Sequence, residues 1–201
     1  MTTTPTADEL TANAIAHGQA IKRTNALTAL LCGGLPAASL ALLIPSSPQR
    51  WLVGFFIGLL WANAFEYVYH RFLLHLPTSF FGRRHLLHHA SVGTPAEAEH
   101  VNLGGSPIWV LFLFVINGVP AVAFELLSRF GLAPGIFLGF AAYFVLVEEV
   151  HWRIHVGEWL PPFLDGARRH HFGHHDRSDQ RFNIFLPLFD WLFSSLHSHT
   201  S

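Results

Sequence analysis

Residues 25–44, NALTALLCGGLPAASLALLI, contain no charged side chain. In the bilayer interior only a helix or a closed barrel satisfies its own backbone groups. A helix over this stretch rises about 30 Å, the thickness of a bilayer core. Three more apolar runs follow, so the expected spans are about 25–44, 51–69, 106–124 and 132–150. Only 12% of the residues are charged and 51% are apolar, too little charge to clothe a water-soluble domain of 201 residues. The expected fold class is therefore all-α: an integral membrane protein of about four transmembrane helices in two hairpins. The domain reading is a polar N-terminal tail over 1–24, as a loose tail or a short surface helix, and a membrane domain over 25–201.

The charges orient this arrangement. Two hairpins leave the N-terminus, the 70–105 region and the C-terminus on one side, and of twelve Lys and Arg only Arg50 and Arg129 fall on the other. By the positive-inside rule the first side is cytoplasmic. The N-terminus lacks a basic-then-apolar leader with a cleavage site and is expected in the mature protein. Residues 90–105 read as a surface loop, and QRFNIFLPLFDWLFSS (180–195) as an aromatic amphipathic stretch that covers the site or lies at the interface. The second span remains helical until Pro77 and is longer than a bilayer core, so its far end must emerge.

Histidine is the outlier, with 15 residues against one lysine. His70, His75, His85, His88 and His89 follow the second span, and His151, His155, His170, His171, His174 and His175 follow the fourth. The two clusters are thereby expected at one membrane face, as a histidine-rich cytoplasmic cap. His85, His88 and His89 share a helix face, as do His171, His174 and His175, and His151 and His155 lie four apart. His70 and His75 are five apart, about 140° around an α-helix. Either one of them serves a different metal or the helix distorts there. Imidazole suits iron, zinc, copper and nickel, and ten converging imidazoles are too many for one ion and about right for two.

The remaining polar candidates rank lower. His170 would point away from its neighbours, and His100 is a loop histidine near the site. Glu66, Glu148 and Asp176 stand close to His70, His151 and His175, where a carboxylate can accept the outer N–H of a ligand imidazole. His170, His100, Glu66, Glu148 and Asp176 are thus possible ligands or partners of ligands. His17, His197 and His199 lie in polar tails and are expected to be solvated. No catalytic residue beyond the metal ligands is expected.

HRFLLH (70–75), HLLHH (85–89), HWRIH (151–155) and HHFGHH (170–175) resemble the histidine boxes of the fatty acid hydroxylase / sterol desaturase superfamily. FNIFLPLFDWLF (182–193) and HVGEWLP, from His155, also resemble elements of that family, and the likeness covers roughly 50–195. It implies a membrane non-haem di-iron enzyme with two iron ions, zinc being a possible substitute, and O₂ as co-substrate. The implied ligands are His70, His75, His85, His88, His89, His151, His155, His171, His174 and His175. The implied substrate is a membrane lipid, a fatty acyl chain or similar, which is hydroxylated or desaturated. The first box looks most like the fatty acid 2-hydroxylase branch, with carotenoid hydroxylases carrying related boxes. No cytochrome b5 domain is attached, so a separate electron donor of cytochrome b5 or ferredoxin type is expected. The location expected is a bacterial inner membrane, or the endoplasmic reticulum if the chain is eukaryotic.

Other classes fit less well. A net charge of −1 gives no nucleic-acid signal, and one cysteine, Cys32, builds neither a disulfide framework nor a cysteine zinc site. Neither G-x-S-x-G nor a P-loop pattern occurs. A zinc-dependent membrane hydrolase would use about three protein ligands, fewer than are present. A metal- or haem-handling membrane protein would place polar groups near the middle of its spans, where this chain is apolar.

Overall fold

The computed structural model describes residues 5–102 and 106–196; His197, His199 and the first four residues of the expected tail lie outside these. The described residues are all-helical, with no strand. Four helices are long and apolar enough to cross a membrane: α1 (Ala7–Leu43), α2 (Pro48–Tyr69, extended by a π-helical segment, His70–Leu74), α5 (Pro107–Ser128) and α6 (Ala133–Val156). Between and after them come the shorter α3 (Phe80–Ser91), α4 (Glu97–His100), α7 (Asp165–Asp176) and α8 (Leu188–Leu192).

The polar N-terminal stretch is neither a loose tail nor a short surface helix: it forms the opening turns of α1. Its cause is local. The Thr6 backbone N–H donates to Glu9 Oε2 (2.8 Å) and the Glu9 N–H donates to Thr6 Oγ1 (3.3 Å), a reciprocal capping box that satisfies two free donors.

The chain forms two compact units. One comprises residues 23–65 and 106–146. Here α6 is the most buried helix, with Ala133, Phe137, Phe140, Ala141, Tyr143 and Phe144 enclosed. Large apolar side chains on the other helices stand exposed, among them Leu35, Leu42, Phe56 and Val119, as lipid-facing surfaces must be. The α2–α6 contact is set by small residues. A Cβ added at Gly54 or Gly58 would lie 2.1 or 2.3 Å from the carbonyl oxygens of Leu132 or Ile136. One added at Gly135 or Gly139 would lie 2.0 or 2.1 Å from those of Trp51 or Phe55. Two small-x-x-x-small stripes thus bring the helix backbones together, which is how membrane helices associate without a hydrophobic drive between them. The paired numbers rise together, so α2 and α6 run in the same direction. On α1, Leu40 and Ile44 pack with Ala133 and Phe137, while Gly33 meets Ala141, so α1 runs against α6. Buried Glu125 closes the α5–α6 turn, accepting the N–H groups of Gly131 (2.6 Å), Leu132 (2.8 Å) and Ala133 (2.8 Å).

The other unit comprises the described residues within 1–22, 66–105 and 147–201. Its apolar centre includes Ala14, Ala98, Val101 and Trp152. Asn102 Nδ2 donates to the Gly18 carbonyl (2.8 Å), tying the segment after α4 to α1. Lys22 pairs with Glu149 (2.6 Å), and Glu149 with Arg153 (2.6 Å). All of the histidine boxes belong to this unit.

Gly58→Ala is expected to lower thermal stability in detergent by about 1–3 kcal/mol, because its Cβ overlaps backbone. Gly34, whose added Cβ would meet nothing within 4 Å, serves as the control. Gly34→Ala should hold or raise stability, by at most about 1 kcal/mol from helix propensity.

Candidate metal centre

His70 and His75 come together because the helix changes type between them. In the π-helical segment His70–Leu74 the turn widens to i→i+5 bonding, which aligns residues five apart. Their rings are stacked, with centroids 5.3 Å apart and planes 14° from parallel. Pro77 follows, and α3 restarts at Ser79, whose hydroxyl accepts the Gly82 N–H (2.8 Å). α3 then presents His85, His88 and His89, and α7 presents His171, His174 and His175.

The ten box histidines fall into two groups of five. His70, His75, His85, His89 and His174 form the first; His88, His151, His155, His171 and His175 form the second. In each, one ring nitrogen per residue lies within 4.8 Å of all the others. The H-x-x-H-H boxes are divided between the groups. The outer pair of α3, His85 and His89, serves the first group, and its middle residue, His88, the second. On α7 the outer pair, His171 and His175, serves the second, and His174 the first. None of His170, His100, Glu66, Glu148 or Asp176 belongs to either group. His170 instead pairs with Asp190 (3.3 Å).

Facing Nε2 atoms are closely spaced. In the first group His85 lies 3.0 Å from both His70 and His89, and His75 lies 3.1 Å from His174. In the second, His171 lies 3.0 Å from His151, 2.9 Å from His155 and 3.1 Å from His175. A single ring proton on His171 can serve one of those three lone pairs, whereas a cation between them serves all. His88 is buried with both ring nitrogens unpartnered, a cost that a metal at Nε2 would reduce. The residues present therefore fit a metal ion in each group.

Outer nitrogens hold the rings in this sense. His70 Nδ1–H donates to the Phe182 carbonyl, and His174 Nδ1–H to that of Gln180 (2.6 Å). His155 Nδ1–H donates to Glu97 Oε1 (2.8 Å). Each such bond turns the Nε2 lone pair inward. Sequence reasoning missed these partners. Glu97 lies on α4 within the expected loop; its signal was the Ala/Glu run, which favours helix. The two carbonyls carry no residue-type signal.

A cavity of about 430 Å³ opens onto both groups, reaching His85 of the first and His88 and His151 of the second. Its walls combine Leu74, Phe81 and Val101 with Arg84, Glu99 and Asn102. His17, expected to be solvated, and His100, expected near the site as a possible ligand or partner of a ligand, also line it.

Residues 55–195 match the model of the family described as Fatty acid hydroxylase. Two curated relatives from Arabidopsis thaliana are each 28% identical to this chain. Dihydroceramide fatty acyl 2-hydroxylase FAH1 aligns over 66% of this chain and 55% of its own length. Dihydroceramide fatty acyl 2-hydroxylase FAH2 aligns over 74% and 62%. The chain thus spans little more than half the length of these relatives. Among solved structures, full-length Scs7p, with only its hydroxylase domain visible, has the same fold. The TM-score is 0.66 and the identity 21%, over 88% of this chain and 67% of that one.

Burial sets the protonation of the site. It pushes His85, His88 and His171 well below the usual 6.5, and neighbouring imidazoles push the same way. Burial also lowers His89 to about 4, His174 to about 3 and His175 to about 2. Burial raises the Glu97 carboxyl, but hydrogen bonds from His155 and the Gly93 N–H bring it below its ordinary value. At neutral pH these six imidazoles are thus neutral, as ligation requires. In the unfolded chain they take up protons near 6.5, so the unfolded state binds more protons below that pH. Stability of the metal-free protein should be flat above about pH 7 and fall steadily from about 6.5 towards 4. Thermal unfolding across that range checks this; a stability unchanged between those limits would contradict it.

Proposed function

The chain belongs to the fatty acid hydroxylase family, and on that premise we propose that it is an O₂-dependent di-iron oxidoreductase that hydroxylates the acyl chain of a membrane lipid. The observation that carries this reading is the pair of five-imidazole groups opening on one cavity. His70, His75, His85, His89 and His174 would hold one iron, and His88, His151, His155, His171 and His175 the other. Bound there, the irons would supply the activation of O₂ and, with two electrons from a donor, the insertion of one oxygen atom into a C–H bond.

The number of donors counts against a hydrolytic zinc site. Each group offers five imidazoles, whereas a hydrolytic zinc site uses about three protein ligands.

The protein groups bind, orient and exclude water. A cavity of about 430 Å³ lies within the usual range for small-ligand pockets and would take part of a lipid rather than all of it. Arg84, Glu99, His100 and Asn102 offer donors and acceptors to the polar end, and Leu74, Phe81 and Val101 receive the chain. A carbon close to the polar linkage then lies beside the imidazoles, in keeping with the 2-hydroxylase names of the relatives. In this reading the four apolar helices would cross the membrane as two antiparallel pairs, and the excess of Lys and Arg on the side of the histidine boxes supports a cytoplasmic-facing site. Electrons come from a cytochrome b5- or ferredoxin-type protein.

His174→Ala and His175→Ala remove one imidazole from each group. Lipid mass spectrometry under O₂ should find a lipid one oxygen atom heavier in cells with the wild type, and none with either variant. A product lighter by two hydrogens would make the reaction a desaturation. No O₂-dependent change in any lipid class, with metallated protein and a supplied donor, would contradict the oxygenase reading.

A further inference from the structure

Two carboxylates outside both histidine groups grip one loop. Asp190, on α8, is fully buried. Its Oδ1 accepts the Phe182 N–H (2.8 Å) and the Ser195 hydroxyl (2.9 Å). Its Oδ2 accepts the Asn183 N–H (2.8 Å) and His170 Nε2–H (3.3 Å). Glu66, in the last turn of α2, takes the same loop. Its Oε2 accepts from Asn183 Nδ2 (2.8 Å), and its Oε1 accepts the Ile184 N–H (3.0 Å). Three consecutive backbone N–H groups, 182 to 184, are thereby held by two carboxylates.

This loop carries the carbonyls that orient the first group. Phe182 O takes the outer N–H of His70, and Gln180 O that of His174. The connection closes on itself at α2: Glu66 holds the loop, and the loop holds His70, four residues further along the chain. In the second group the outer partner is a different element, Glu97 on α4, which takes His155. Hydrogen bonds to charged acceptors are about twice as strong as neutral ones, so both grips are firm.

We propose that Glu66 and Asp190 are positioning residues of the first metal site: they act through the 180–184 loop, and the second site does not depend on them. The proposal rests on the two-metal reading of the histidine groups. Removing an outer partner of a ligand imidazole costs about 10- to 100-fold in metal affinity, and here that loss is confined to one of two neighbouring ions.

The test separates the sites by breaking one at a time. His171→Ala removes the central imidazole of the second group, and His85→Ala that of the first. Asp190→Asn is introduced into each background, and metal content is measured after iron loading and equilibration against graded chelator. In the His171→Ala background it should weaken the remaining ion by about 10- to 100-fold. In the His85→Ala background the remaining ion should stay within about twofold. Glu97→Gln should give the reverse pattern. If circular dichroism shows Asp190→Asn unfolded, Glu66→Gln is read in its place. Equal weakening in both backgrounds would mark a general structural role and overturn the proposal, as would no weakening in the His171→Ala background. A parent protein that takes up fewer than two metals would instead fail the reading on which the proposal stands, and the proposal with it.

Discussion

Ten imidazoles in two groups of five, each with a ring nitrogen within 4.8 Å of the others in its group, are the arrangement on which the rest of this structure depends. Unmetallated, it is costly. Facing nitrogen lone pairs repel, protonation is opposed by burial, and His88 has no partner on either nitrogen. A protein maintains such a cluster only where a cation repays it or where rigid surroundings impose it. The second condition acts here, and the proposed metal ions would supply the first. The rings are carried by helices, and several are held from outside by carbonyls and a carboxylate.

Each group is assembled by the same device. One helix end supplies a pair: His70 and His75 across the π-helical segment for the first group, His151 and His155 on α6 for the second. One H-x-x-H-H helix then supplies an outer pair, and the other helix crosses over with its middle histidine. α3 and α7 therefore each serve both groups. The wide π turn is what makes the first pair possible, since an ordinary α-helix would aim His70 and His75 about 140° apart.

Much of this was legible in the chain. Charge-free runs of about twenty residues foretell spans, and box spacings foretell imidazoles on common faces. Five-residue spacing at His70 and His75 already announced a conflict with α-helical geometry. What stayed hidden depended on partners distant in sequence. Three histidines on one face do not reveal that the middle one belongs to the other group. The Gly54/Gly58 and Gly135/Gly139 stripes are visible as motifs, yet nothing local says that they face each other. The opening turns of α1 were missed because hydropathy stops at Lys22 and Arg23, although Thr6 and Glu9 spell a helix start. Glu97 sat in an expected loop, and the carbonyls of Gln180 and Phe182 have no signature at all.

The central claim is that each five-imidazole group holds its own metal ion, with the two ions adjacent. Anomalous X-ray diffraction from crystals of the iron-loaded protein, recorded across the iron absorption edge, tests it most directly. The account predicts two separate anomalous peaks, one within reach of His70, His85 and His174 and one within reach of His88, His155 and His171. A single peak shared between the groups, or iron found only outside them, would contradict it.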